Sequence, residues 1–173
     1  MSLEGQHPVN LNTLYQQVIL DHYKKPRNKG EQLVNATMRK HLHNPTCGDD
    51  LEVSVSVGAD GKIDDVRWNG RGCSISMSSA SMMSIALRGK TLDEAQAMMT
   101  SFYGMMKGEE GSYKGLGELQ ALSGVSKFPV RIKCATLAWH CLEEGIKESA
   151  QAPQGAERPG ETADRQGGSA NGQ

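Results

Sequence analysis

Leu51-Glu52-Val53-Ser54-Val55-Ser56-Val57 alternates apolar and polar residues without a break. Strict period two marks a half-buried strand. Ala59-Asp60-Gly61 turns the chain, and Ile63, Val66 and Trp68 bring it back, which predicts an antiparallel hairpin over Leu51 to Trp68. Downstream the period changes. Ser74 is placed to cap a helix running to about Leu87 and ended by Gly89. Thr91-Leu92-Asp93-Glu94 reads as a capping box that opens a second helix, to about Met106. Gly108 to Gly117 reads as a loop, with a short helix over Leu116 to Leu122. Pro129 starts a long helix that reaches about Ser149. Upstream, Leu11, Leu14, Tyr15, Val18 and Ile19 share one stripe of a helix from Leu11 to Lys24. Asn10 or Asn12 could cap that helix, and Pro26 ends it. Glu31 to Leu42 is weakly patterned and is read as a strand. Strands first and helices later predict an α+β layer rather than a parallel βαβ sheet.

The bulk properties narrow the function. A chain of 173 residues fits one domain. The net charge of −1 gives no reason to expect nucleic acid as a partner. No apolar run approaches the roughly 20 residues of a membrane span. Met1 to Asn10 has no basic segment followed by an apolar one, so no signal peptide is expected and the protein is expected to be cytoplasmic. Thiols there stay reduced, so four cysteines point to metal or sulfur chemistry rather than disulfides. From Ala150 to Gln173 there is no Val, Ile, Leu, Met, Phe, Tyr or Trp. Such a segment cannot bury enough surface to offset chain entropy. The expected organisation is a folded domain over residues 1–149 and a disordered tail over 150–173.

Three cysteines and one aspartate sit where a side chain can be aimed at an ion. Cys47 and Asp49 lie in Asn44-Pro45-Thr46-Cys47-Gly48-Asp49. Cys73 lies in Gly70-Arg71-Gly72-Cys73-Ser74-Ile75-Ser76. Cys134 lies in Phe128-Pro129-Val130-Arg131-Ile132-Lys133-Cys134. Cys47 and Asp49 enter the hairpin and Cys73 leaves it, which puts them at one end of an antiparallel pair. Cys134 is expected in the first turn of the last helix, where the helix dipole favours a thiolate. Cys47 and Asp49 can face one ion only if Gly48 lets the backbone turn between them. Three thiolates and a carboxylate suit a tetrahedral zinc or an iron–sulfur cluster. Around a divalent ion such a set keeps an excess negative charge, for which Arg71, Arg131 and Lys133 are the nearby cations, Arg131 foremost. A purely structural zinc module is disfavoured, because no C-x2–4-C knuckle exists.

Other residues are read more plainly. His41 and His43 are held on the sheet rather than at the ion. His22 is read as a solvated helix residue. Cys141, two turns beyond Cys134 on the same helix, is about 10 Å away and is read as buried packing. The methionine pairs at 82–83, 98–99 and 105–106 are read as core.

The three ligand stretches, with Leu14-Tyr15-Gln16-Gln17-Val18-Ile19-Leu20-Asp21-His22-Tyr23 and Pro26-Arg27-Asn28, resemble the IscU/SufU (NifU N-terminal) iron–sulfur cluster assembly family. The resemblance spans about residues 10–148. Room for an insertion over Gly108 to Gly124, and Lys133 where IscU proteins carry a histidine, make it most similar to the SufU branch. It implies a three-stranded antiparallel sheet with helices on one face and the ligand loops at one end. It also implies zinc held by Cys47, Asp49, Cys73 and Cys134, with iron or a [2Fe–2S] cluster as the alternative. The implied partners are a pyridoxal-phosphate cysteine desulfurase and the downstream iron–sulfur assembly machinery. The implied role is that of a sulfur carrier accepting persulfide sulfur, with Cys47 as acceptor. A [2Fe–2S] scaffold on the same residues is the alternative, in which sulfur goes to the position of Cys134.

Overall fold

The hairpin becomes the middle and one edge of a three-stranded sheet. In the computed structural model, which describes residues 11–151, the elements run α1 (Leu11–Lys24), β1 (Met38–Asn44), β2 (Asp49–Val57), β3 (Ile63–Arg71), α2 (Ser74–Ala86), α3 (Leu92–Met106), a 3-10 segment (Gly117–Lys127) and α4 (Pro129–Gln151). The strands pair antiparallel in the order β1-β2-β3. This is the expected α+β fold. The first ten residues and the tail beyond Gln151 lie outside the described residues, so the expected tail and its boundary at 149 are not described; α4 itself continues to Gln151.

Register explains which face is buried. Val53 stands opposite Lys40 and Trp68, and Val55 opposite Met38 and Val66. Met38, Leu51, Val53, Val55, Val66 and Trp68 are buried under α2 and α4. The outer face carries Arg39, His41, His43 and Glu52. On the inner face Lys40 reaches the end of α4, where it pairs with Glu148 at 2.5 Å and Glu144 at 3.4 Å. Phe102 of α3 stacks on Trp139 of α4 with ring centroids 4.7 Å apart. Five of the six paired methionines are core, and Met98 is half-buried.

Four expectations change. The upstream strand is Met38–Asn44 rather than Glu31 to Leu42. The helix after Cys73 is capped at Cys73, not Ser74, and without a side-chain bond. The short helix expected over Leu116 to Leu122 is a 3-10 segment running on to Lys127. His22 is not solvated: it is 1% exposed. Its Nε2 lies 2.7 Å from Glu118 Oε2 and its Nδ1 2.8 Å from Ser81 Oγ. With Nε2–H donated to the carboxylate, Nδ1 accepts the Ser81 hydroxyl. Ser81 Oγ accepts in turn from the Arg27 backbone N–H at 2.9 Å. One imidazole thus fastens α1 to α2 and to the 3-10 segment.

That clamp is testable. His22→Ala leaves the Ser81 hydroxyl short of a partner and opens a void, and should lower stability by about 2–3 kcal/mol. Thermal unfolding followed by circular dichroism should show a fall of several degrees; an unchanged melting temperature would remove the clamp from the account.

Candidate metal centre

The end of the sheet gathers the ligand stretches as the hairpin geometry requires. Asn44 closes β1 opposite Asp49, which opens β2. Gly48 between them has φ +69, a left-handed conformation that side chains rarely adopt. The turn this allows carries Cys47 half-buried above the sheet end. One donor atom each from Cys47, Asp49 and Cys134 lie within 4.8 Å of one another. They form the one such group of His, Cys, Asp and Glu among the described residues. Cys73 is adjacent but is not in that mutual set. Its backbone N–H donates to Asp49 Oδ1 at 3.0 Å, and its thiol lies 3.7 Å from the Ser76 hydroxyl. Ser79 of α2 donates to the Ala135 carbonyl at 2.6 Å, which fixes α2 against α4 beside Cys134.

Two features escaped the sequence reading because no side chain announces them. The first is Gly72. A Cβ there would collide with the Asp49 carboxylate and the Ser76 hydroxyl, so only glycine lets α2 start this close to Asp49. The second is the Cys73 backbone N–H, which takes one carboxylate oxygen and leaves the other. Asp49 is 0% exposed, and its Oδ2 has no hydrogen-bond partner among the described residues. A buried carboxylate oxygen without a donor is costly unless a cation meets it. With two soft thiols within 4.8 Å and a third adjacent, the donor set fits zinc.

Cys134 is not in the first turn. It is the sixth residue of α4, which begins at Pro129, and it is fully buried. The helix dipole acts over the first turn. Burial dominates instead and pushes the Cys134 thiol well above its ordinary range, with Asp49, Cys47 and Cys73 adding to the shift. Arg131 answers from the exposed side. Interaction with the Cys134 thiol first, then the charge of Cys73, Cys134 and Cys47, holds its pKa above the ordinary value. Lys133 is exposed. Arg71 stands opposite Asp50 on the outer face, in a dish shared with His41, Glu52 and Asn69. His41 pairs with Asp50, and His43 Nδ1 lies 3.7 Å from the same carboxylate, so both histidines face away from the thiols. Cys141 is 1% exposed, 3.7 Å from the Leu51 carbonyl, and burial pushes its thiol up to about 12.

Comparison with known proteins agrees with this architecture. Residues 14–152 match the model of the NifU-like N terminal domain. The chain is 50% identical over 138 residues to the zinc-dependent sulfurtransferase SufU of Bacillus subtilis (strain 168), covering 79% of this chain and 92% of that protein. It is 46% identical over 143 residues to the iron–sulfur cluster assembly scaffold protein IscU of Streptococcus pyogenes serotype M1, covering 82% and 88%. Among solved structures, a putative iron–sulfur cluster assembly scaffold protein for the SUF system from Fervidobacterium islandicum AW-1 superposes with a TM-score of 0.68 at 34% identity, over 78% of this chain and 98% of that one. The chain belongs to the family of the NifU-like N-terminal domain, to which the IscU and SufU proteins belong.

Proposed function

We propose that this chain is an iron–sulfur cluster assembly protein that binds zinc through Cys47, Asp49, Cys73 and Cys134 and carries sulfur on Cys47. The observation that supports this best is the convergence of Cys47, Asp49 and Cys134 within 4.8 Å around a buried, unpartnered carboxylate oxygen. Bound zinc would keep its thiols deprotonated and shield them from unwanted reaction. Cys73 stands next to the set, with its backbone N–H bonded to Asp49, and is taken as the fourth ligand.

The chain's own residues divide the work. Cys47 sits on a turn, half-exposed, and can swing outward; Cys134 is buried on a long helix. The sulfur donor is a cysteine desulfurase carrying a persulfide on its own cysteine. The Cys47 thiolate attacks the outer sulfur of that persulfide. The donor's S–S bond breaks, its cysteine leaves as thiolate, and Cys47 keeps the sulfur as a persulfide for the downstream assembly machinery. Arg131, whose pKa the thiols of Cys134, Cys73 and Cys47 hold up, balances negative charge during the exchange. No general base is needed, because the nucleophile is already a thiolate. Among the described residues no helix is long and apolar enough to cross a membrane. The likeness to a protein named as a scaffold supports a second reading, assembly of a [2Fe–2S] cluster on the same four residues.

Metal analysis of anaerobically purified protein should find about one zinc per chain. Colourless, metal-free protein, or a visible iron–sulfur spectrum, would count against the zinc reading. Asp49→Ala removes the hardest donor from a soft set and should speed zinc loss to a chelator by about tenfold or more while the fold persists. Sulfur transfer by that variant at the parent rate would free Asp49 of any role. With a cysteine desulfurase and cysteine, mass spectrometry should place the added sulfur on Cys47. Cys47→Ser should lose it and Cys141→Ser keep it. Loss confined to Cys134→Ser would move the acceptor to α4 and favour the scaffold.

A further inference from the structure

Cys47 and Cys134 have sulfurs within 4.8 Å of each other and of an Asp49 carboxylate oxygen. A disulfide needs two sulfurs at about 2.0 Å. The gap closes if one sulfur moves, and the supports of the pair decide which. Cys134 is 0% exposed on α4, fixed there by the Ser79 bond to the Ala135 carbonyl. Cys47 is half-buried on the turn between β1 and β2, where Gly48 has φ +69. A change in a few backbone angles of that turn brings its sulfur toward Cys134 while both strands stay paired.

Cys73 is placed differently. It lies outside the mutual set of Cys47, Asp49 and Cys134. It is the N-cap of α2, its backbone N–H is held by Asp49 Oδ1 at 3.0 Å, and its thiol lies 3.7 Å from the Ser76 hydroxyl. Gly72 before it is hemmed in by the Asp49 carboxylate and Ser76. Bringing this sulfur onto Cys134 would move the start of α2. Cys141 lies two turns further along α4, about 10 Å away. Cys47 and Cys134 are therefore the pair that is both close and free to close.

Access sets the order of events. An oxidant from solvent meets Cys47 before Cys134, which has no exposed surface. A hydroperoxide turns a thiolate into a sulfenic acid, and a sulfenic acid left alone goes on to sulfinic acid, which thiols do not reduce. A neighbouring thiol stops that progress by condensing with the sulfenic acid.

We propose that Cys134 is the resolving thiol for Cys47, so that with the centre free of metal a hydroperoxide converts the pair into a Cys47–Cys134 disulfide. The Cys47 sulfur takes one oxygen from the hydroperoxide, whose O–O bond breaks and whose other half leaves as water or an alcohol. The Cys134 sulfur then attacks the Cys47 sulfur. The S–S bond forms, the S–O bond breaks, and the hydroxyl leaves as water with the proton that Cys134 gives up. Asp49, whose carboxylate lies within 4.8 Å of both sulfurs, is placed to pass that proton. The two thiols lose two electrons and the peroxide gains them. The disulfide removes two ligands and the sulfur acceptor together, and a thiol reductant restores them. That consequence rests on the reading of Cys47 as acceptor and of the set as a metal centre; the bond itself does not.

The test treats the full chain, stripped of metal by a chelator, with a small excess of hydrogen peroxide. Free thiols should fall from four to two per chain. Mass spectrometry of an unreduced digest should join the Cys47 peptide to Cys134, with Cys73 and Cys141 still thiols. Dithiothreitol should restore all four. In Cys134→Ala, Cys47 should instead gain two oxygens as sulfinic acid, which dithiothreitol does not reverse; the parent digest decides the matter if that variant folds poorly. A Cys73–Cys134 bond, a bond between two chains, sulfinic Cys47 beside an intact Cys134 thiol in the parent, or no loss of thiols overturns the proposal. The Cys47–Cys134 bond in a protein that takes up no zinc, or that accepts sulfur elsewhere, overturns the function proposed above and leaves the disulfide standing.

Discussion

The hydrogen bond from the Cys73 backbone N–H to Asp49 Oδ1 joins the start of β2 to the start of α2. Everything at the thiol end of the molecule is arranged around it. It can form only because Gly72 has no side chain to strike the carboxylate. It can matter only because β2 and β3 pair in a register that returns the chain to the same end of the sheet. Having taken one carboxylate oxygen, it leaves the other buried and unpaired. A fold that buries an aspartate this way and gives half of it no donor is stabilised when a cation arrives there. The centre and the fold are thus coupled through one carboxylate.

Cys134 shows the same coupling from the other side. Burial raises its pKa, and the neighbouring carboxylate and thiols raise it further. Left alone, the site would keep this sulfur protonated and inert. A divalent cation reverses the sign of the local field, because its charge outweighs that of each neighbour. Arg131 alone cannot do this. It is exposed and partly screened, and it faces three thiols at once. The guanidinium is better suited to trimming the excess charge of a filled centre than to creating thiolates in an empty one.

Much of this was legible in the residues. Leu51 to Val57 alternates because one face of β2 is buried and the other is not, and nothing disturbs that pattern. β1 was harder. Its inward positions are Met38, Lys40 and Leu42, and the lysine in the middle breaks the alternation. Lys40 is inward because it reaches Glu144 and Glu148 at the far end of α4, a partner about 100 positions away that no local pattern can show. His22 was misread for a related reason. On α1 it lies among exposed residues such as Leu20 and Tyr23, and its partners Ser81 and Glu118 are tertiary. The turns that carry Cys47 and Cys73 were legible because glycine and proline punctuate them. The depth of Cys134 within α4 was not, since Pro129 marks the first residue of the helix but says nothing about which turn meets the sheet.

The placement of the two nearest thiols is the remaining constraint. Cys47 and Cys134 have donor atoms within 4.8 Å, yet their supports differ in stiffness. Cys134 is one residue of a helix 23 residues long, packed against β1, β2 and α2. To move its sulfur by a few ångström the helix must move, and the Ser79 bond to Ala135 must break. Cys47 rides on a four-residue link between β1 and β2, with a left-handed glycine behind it. Its sulfur can be displaced by changing a few backbone angles while both strands stay paired. Two thiols of the same chemistry therefore have different costs of displacement, fixed by the elements that carry them. A centre that must hold an ion and also expose one sulfur has to be asymmetric in this way, and the asymmetry arises because one thiol is on a turn and the other in a helix.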